Sequence, residues 1–361
     1  KKEAPVSSPA PEPKAEPKPE PKAASKPAKK ASKQLSPEEL SAAEFRFLSE
    51  AVKDADSDIR GAALEDLRVF VQAHPDAPEA PEALAILAGS EDYRPAVVDW
   101  LHLIHEYPDA TKVVQDAKFK YTELVKKKMK SALQPGLGGL AKTPEAEDKA
   151  ERLAELIHGL ADKSADAIYE PAVAEARRFQ VRFPGYKQND RIQWSLAQLH
   201  MNSGKYPAVL LAYRKLLLEE GSPYREKALF AIGELYADKF KRYKEAVDAF
   251  QDFVERYPQS AQVLPALERT ALLYSDRLDQ YPLAVETYER IIKLFPKTEG
   301  ALKAFNAEAK LQRDRLKQPE EAIKTYQRLA EQFRYPPAAE ALINAAEVCR
   351  KDLKAYQREV D

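Results

Sequence analysis

The nearest thing to a phosphate-binding loop in this chain is Gly136-x4-Ala141-Lys142-Thr143. A P-loop works because a glycine-rich turn after a strand lets backbone N–H groups wrap the phosphates, with a lysine following. Here Ala141 stands where the second glycine is needed, a Lys-rich helical stretch precedes, and Pro144 follows at once. Gln134–Thr143 therefore reads as a loop between helices. His102 and His105 stand three apart near a helix end. Such a pair can ligate zinc, but no third ligand stands at a recognisable spacing. The simpler account is that histidines are favoured near a helix C-terminus. Lys126-Lys127-Lys128-Met129-Lys130 would touch phosphates or anionic lipid in one reading and form a solvated helix end in the other, and the second is preferred. Cys349 is the only cysteine, which excludes an internal disulfide or thiolate metal cluster. It shares a helical face with Leu342, Ala346 and Leu353 and is expected to be a buried small hydrophobe. No Ser/His/Asp set stands out, and neither metal nor cofactor is implied.

The polar residues that do recur are Asp238, Asp276 and Asp314, 38 residues apart. Each is followed by a base and an apolar residue: Lys239-Phe240, Arg277-Leu278, Arg315-Leu316. They form either a row of carboxylates along one surface or, the preferred reading, a turn in which Asp bonds the backbone where a helix ends. Around them the chain repeats itself from Ala228 to Ala341. The copies read Ala246-x3-Phe250-x2-Phe253-x4-Pro258, Ala284-x3-Tyr288-x2-Ile291-x4-Pro296, and Ala322-x3-Tyr326-x2-Leu329, with the last proline delayed to Pro336. Apolar residues at i, i+4 and i+7 share a helical face. Alanine lets a neighbour approach, the aromatic fills the gap, and proline stops the helix. A partner helix precedes each copy: Leu229-x2-Ile232-Gly233-x2-Tyr236, Leu267-x2-Thr270-Ala271-x2-Tyr274, and Phe305-x2-Glu308-Ala309-x2-Gln312. Gly233 is the expected point of closest contact. Glu308 and Gln312 break the apolar pattern and predict looser packing or exposure in the third copy.

Large-x2-Leu-Gly-x2-Tyr, then Ala-x3-Phe, then a closing proline, resembles the tetratricopeptide repeat, whose usual period is about 34 residues. The Tyr-Pro and Phe-Pro endings resemble the variant of bacterial cell-envelope proteins, such as outer-membrane-assembly lipoproteins and the periplasmic coordinator of the Tol–Pal system. The resemblance implies an all-α fold: a right-handed superhelical solenoid of antiparallel helix pairs whose first helices line the concave side. In that setting the stripe left free on those helices comprises Phe230, Glu234 and Asp238, then Glu268, Leu272 and Asp276, then Asn306, Lys310 and Arg313. It runs from acidic and apolar to basic, and Phe230 is the expected anchor for a partner.

The same offsets reach the N-terminal half: Ala63-x3-Leu67-x2-Phe70-x4-Pro75, Ala96-x3-Trp100-x2-Leu103-x4-Pro108, and Ala172-x3-Ala176-x2-Phe179-x4-Pro184. One further helix pair is expected between Pro108 and Ala172, near Thr111–Ser131 and Pro144–Leu160. Ser36-Pro37-Glu38-Glu39 reads as the first helix start, and Ala338–Arg358 as the closing helix. No segment reads as a strand. Residues 1–34 are Lys, Pro, Glu, Ala and Ser almost throughout. Such a tail buries no apolar surface and is expected to stay disordered. Stretched as polyproline II it would reach roughly 100 Å. With nine Lys against four Glu it carries about +5, leaving about −6 for the rest of a chain whose net charge is −1. It resembles the periplasm-crossing linkers of TonB-type proteins, against the alternative of a plain solubilising tail. The chain begins at Lys1 rather than Met, as a removed signal peptide, a lost anchor or simple trimming would leave it.

Four segments are thus expected: a linker over 1–34, degenerate repeats over 35–184, clear repeats over 185–341, and a capping helix over 342–361. No apolar run approaches the ~18 residues of a membrane span, and near-neutral charge argues against nucleic acid. The function expected is a non-catalytic scaffold binding a protein along its concave face. Its expected location is the periplasm or outer membrane, with tethering through the N-terminal side and the cytoplasm as the alternative. The other function weighed is a fixed subunit of a large envelope machine.

Overall fold

The computed structural model describes residues 36–131, 133–142, 145–163 and 168–352. The expected linker over 1–34 lies outside them. Order starts where the sequence places it. Ser36 Oγ accepts from the Glu39 N–H at 3.1 Å, the Glu39 carboxylate accepts from the Ser36 N–H at 2.8 Å, and Pro37 opens the helix. This reciprocal cap satisfies two otherwise orphaned donors.

From there the described residues are helical, without a strand. The first group is α1 (Pro37–Ala51), α2 (Ser57–Ala73), α3 (Ala80–Ser90), α4 (Tyr93–Glu106), α5 (Thr111–Lys128) and α6 (Gln134–Leu140). Then come α7 (Lys149–Lys163), α8 (Tyr169–Arg182), α9 (Asn189–Asn202), α10 (Tyr206–Leu218) and α11 (Arg225–Glu234), which runs on as a π-helical turn over Leu235–Phe240. The last group is α12 (Tyr243–Arg256), α13 (Val263–Asp276), α14 (Tyr281–Leu294), α15 (Glu299–Asp314), α16 (Pro319–Gln332) and α17 (Pro337–Asp352). Consecutive helices from α8 to α17 pack on one another, which is the helix-pair solenoid expected. Five second helices end alike. His74, Tyr107, Phe183, Tyr257 and Phe295 sit near φ −120°, ψ +55° before their prolines, because proline drives its predecessor out of the helical region.

The close contact falls where the sequence puts it. A Cβ added at Gly233 would lie 2.6 Å from the Phe250 ring. Ala246, Ala284 and Ala322 are fully buried, as is Phe250. Two apolar clusters form the core and meet at α9: Leu196 and Leu199 face the N-terminal one, Ala197 the C-terminal one.

Four expectations are corrected. First, the stretch between Pro108 and α8 holds three helices, not one pair. α5 packs on α4 and α6, while α7 packs on α4, α8 and α9. The loop expected at Gln134–Thr143 is largely the short helix α6, with Leu137 buried and its carbonyl accepting from Tyr121 Oη at 2.8 Å. Second, Glu308 and Gln312 are buried rather than loosely packed. Third, the buried face of α17 is Ala341, Ala345 and Val348, so Cys349 is half-exposed at its edge and Leu342 is exposed. Leu353, and the end of the closing helix expected to Arg358, lie outside the described residues. Fourth, the recurring aspartates do not make the turn. Asp238 and Asp276 are exposed and take side-chain donors, Arg269 and Ser275. Asp314 is also exposed, 3.9 Å from Arg313. The turns are made by Lys241, Asp279 and Lys317, each left-handed at φ 56°, 52° and 57°. The N–H of the next residue then bonds a carbonyl six residues back, at 2.8–2.9 Å in all three: Arg242 to Tyr236, Gln280 to Tyr274, Gln318 to Gln312.

Candidate interaction surfaces

The stripe on the first helices is only partly free. Phe230, the expected anchor, is half-buried and packs against Phe250 and Phe253 with ring centroids 5.5 Å away in both cases. It belongs to the helix–helix contact, because the gap beside Gly233 admits a second aromatic. Asp238 is tied to Arg269 of the next repeat at 2.5 Å, and Arg313 to Asp352 of α17 at 2.5 Å. Asn306 is exposed and bonds back to the Leu302 carbonyl. What the stripe offers outward is Glu234, Glu268, Leu272, Asp276 and Lys310. Leu272 is 47% exposed. Burial, reinforced by Asp238 and opposed by Arg269, raises the Glu234 pKa.

The base after each recurring aspartate has a different task. Lys239 lies over Tyr206 at 5.1 Å, Arg277 over Tyr243 at 5.7 Å and Arg315 over Tyr281 at 5.7 Å. In each case the ring belongs to the first residue of the preceding repeat's second helix. The cation–π contact therefore ties one repeat to the next, and the spacing of both partners by 37 or 38 residues is what keeps it in register.

In the N-terminal half lies a cleft that the sequence reading missed. α4 is its floor; α2 and α8 are its walls. Across it runs a chain of charges. Arg178 reaches Asp99 at 3.4 Å and Glu175 at 2.7 Å. His102 sits between Glu175, at 2.6 Å from Nδ1, and Glu106 on Nε2. Glu106 in turn takes Arg182 at 2.5 Å and Lys149 at 3.4 Å. Asp99, Glu106 and Glu175 are buried. Burial alone would lower the His102 pKa. The charge of Glu175, hydrogen bonds to both carboxylates and the charge of Glu106 overcome it and raise the pKa to about 10. Burial likewise opposes ionisation of both carboxylates, but His102 and the flanking arginines hold Glu106 and Glu175 down at about 2. His102 is thus an imidazolium whose charge is used inside the protein. The sequence signal was Asp99, His102 and Glu106 at spacings of three and four, which places them on one helical face.

His105 is also structural. Its ring nitrogens lie 3.2 Å from the Arg152 carbonyl and 2.9 Å from the Leu140 carbonyl, and burial pushes its pKa down. Arg152 donates to the His105 carbonyl at 2.8 Å and caps the end of α4. No group of three His, Cys, Asp or Glu among the described residues is placed to hold a metal ion. Lys126, Lys127, Lys128 and Lys130 are exposed at the end of α5, as expected. No helix among the described residues is long and apolar enough to cross a membrane.

The family comparison agrees with the repeat. Residues 227–260, 265–298 and 308–334 match the tetratricopeptide repeat, so the C-terminal half carries three of them. Among solved structures, a tetratricopeptide repeat protein from Parabacteroides merdae is 13% identical, covering 84% of this chain and 99% of its own, at a TM-score of 0.28. A thermophilic repeat protein from Thermus thermophilus is 18% identical, covering 57% and 100%, at 0.27. Yeast Tom70 is 12% identical, covering 90% and 66%, at 0.34. No curated protein matches the chain.

Proposed function

We propose that this protein is a non-catalytic scaffold in a bacterial cell envelope, holding another protein against the first helices of its three tetratricopeptide repeats. The observation that carries the reading is the divided use of those helices. Leu229, Ile232, Leu267 and Phe305 are spent on packing. The neighbouring positions Glu234, Leu272, Asp276 and Lys310 are exposed, and Glu268 is half-buried between them. Such stacked repeats present extended contact surfaces. This surface is charged, with Leu272 as its apolar point, which suits a reversible partner better than burial inside a larger machine. The envelope setting is supported by the Lys/Pro composition of residues 1–34 and by the Tyr-Pro and Phe-Pro helix endings.

The test is capture of partners from envelope and cytoplasmic extracts by the full chain and by a Lys310→Glu, Glu268→Lys variant. Both substituted side chains lack an ion pair among the described residues, so the variant should melt like the wild type. Loss of the same envelope protein from the variant's captures supports the reading. Identical captures would move the surface elsewhere, and a partner found only in the cytoplasmic fraction would remove the envelope assignment.

A further inference from the structure

The cleft between α2, α4 and α8 has the makings of a second binding site, remote in sequence from the repeats. Its deeper part encloses about 640 Å³, within the range of pockets that bury a ligand of a few side chains. Its lining is predominantly apolar: Val71 from α2 with Pro75 just past its end, and Phe179 and Val181 from α8, with Phe183 just beyond. Val181 is 83% exposed.

Charge decides what would fit. The ionisable groups lining this part are His102, Arg177, Arg178 and Arg182 against Glu106 and Glu175. Arg178 also reaches Asp99 at 3.4 Å and Arg182 reaches Asp76 at 3.8 Å, so the cation left over is Arg177. Both carboxylates are already committed to internal partners. Arg177 is exposed and has no ion-pair partner among the described residues. The site thus has an apolar seat with one uncommitted positive charge, Arg177, at its rim. Its shape selects a chain over a compact amphiphile. Past Gln72, Ala174 and Arg178, which line both parts, the cleft continues into a second space of about 880 Å³. That part carries charges of both signs, Asp92 and Glu170 with Arg94 and Lys205. A compact acyl chain has no use for such a polar extension, whereas the backbone of an extended peptide does.

We propose that this cleft binds an extended peptide segment in which an apolar side chain stands beside a carboxylate. The apolar side chain sits against Val181 and Val71, and a carboxylate meets Arg177. This surface is separate from the one on α11, α13 and α15, and the experiment keeps the two apart.

The full chain is used to select from a random-peptide phage library. Selected peptides are then measured by fluorescence anisotropy against the wild type, Arg177→Glu, Val181→Asp and Lys310→Glu. Val181 and Arg177 are exposed, so neither substitution touches the core. The selected peptides should pair acidic with apolar residues. Arg177→Glu and Val181→Asp should each weaken them by about tenfold, since charge reversal and loss of an apolar anchor both act at the contact. Lys310→Glu should leave them unchanged, and replacing the peptide carboxylates with amides should weaken binding to the wild type. The proposal is overturned if no sequence is enriched, if the enriched peptides are basic, or if binding ignores Arg177→Glu and Val181→Asp. Loss of binding in Lys310→Glu alone would also overturn it, by placing the peptide on the repeats.

Discussion

Replacing Glu308 with glutamine should stabilise the protein at alkaline pH and leave it almost unchanged at pH 5. Glu308 is fully buried on α15. Its Oε1 accepts from Gln312 Nε2 and Thr325 Oγ1, both at 3.1 Å. Its Oε2 has no hydrogen-bond partner. Arg328 is near at 3.6 Å but is shared with Glu289. Burial, reinforced by Glu289 and only partly offset by Arg328, pushes the carboxyl up from 4.5 to about 7. The folded state therefore holds this proton more tightly than the unfolded chain does. The stability it confers is full below the unfolded pKa near 4.5 and is lost as pH rises through about 7. A shift of roughly two and a half units corresponds to about 3 kcal/mol at 1.36 kcal/mol per unit. Glutamine keeps the shape and one acceptor of the neutral acid and cannot ionise. The measurement is urea unfolding of wild type and Glu308→Gln at pH 5 and pH 8, followed through amide exchange of α15 and α16. Comparing the difference between the two proteins at the two pH values cancels the titrating groups remote from Glu308. An equal difference at both pH values, or a variant weaker than wild type at pH 8, would refute the reasoning.

Three further outcomes follow from the packing. Gly233→Leu should cost ~1–3 kcal/mol by overpacking against Phe250, and Phe250→Ala roughly 3–5 kcal/mol by leaving a cavity; thermal melts equal to wild type would disprove the buried face. His102→Asn leaves the buried Glu106 and Glu175 without the cation between them and should cost ~3–5 kcal/mol, read as faster amide exchange in α4 and α8. Arg277→Ala removes the cation over Tyr243 and should cost about 0.5–1 kcal/mol, with the loss of protection confined to the junction of α12 and α13.

What the sequence disclosed was whatever repeats. Gly233, Ala246, Phe250 and Pro258 are legible because each of their jobs imposes a residue type at a fixed offset. The same offsets identified α2, α4 and α8. Contacts that occur once leave no such trace. Nothing in the spacing of His102 and Glu175, 73 residues apart, says that they meet. Glu308 and Gln312 looked like departures from a pattern because the pattern was apolar. Thr325, the third member of the cluster, lies on another helix, with its Oγ1 2.8 Å from Gln312 Oε1 and 3.1 Å from Glu308 Oε1. Phe230 was misplaced for a related reason. Helical spacing marks which stripe a residue occupies, but not how wide the partner helix is.

The charge network and the interruption by α5 and α6 belong together. In the C-terminal half each repeat rests on the last through small residue and aromatic, a contact whose shape fixes its own register. Between α4 and α7 the chain passes through α5 and α6, so α8 meets α4 across an insertion, with α7 packed on both. Apolar surfaces alone tolerate sliding, since the hydrophobic effect is non-directional. Alternating charges do not: moving α8 by one turn would take Arg178 from Asp99, Glu175 from His102 and Arg182 from Glu106, and leave buried carboxylates without their partners on the other helix. The ion chain therefore adds, beside the packing of α7, a register that the repeat supplies elsewhere. An apolar replacement of its three central members, His102→Leu with Glu106→Leu and Glu175→Leu, separates register from stability. It should keep or raise the melting temperature while broadening the nuclear magnetic resonance signals of α8. Sharp, wild-type-like signals in that triple variant would show that packing alone sets the register.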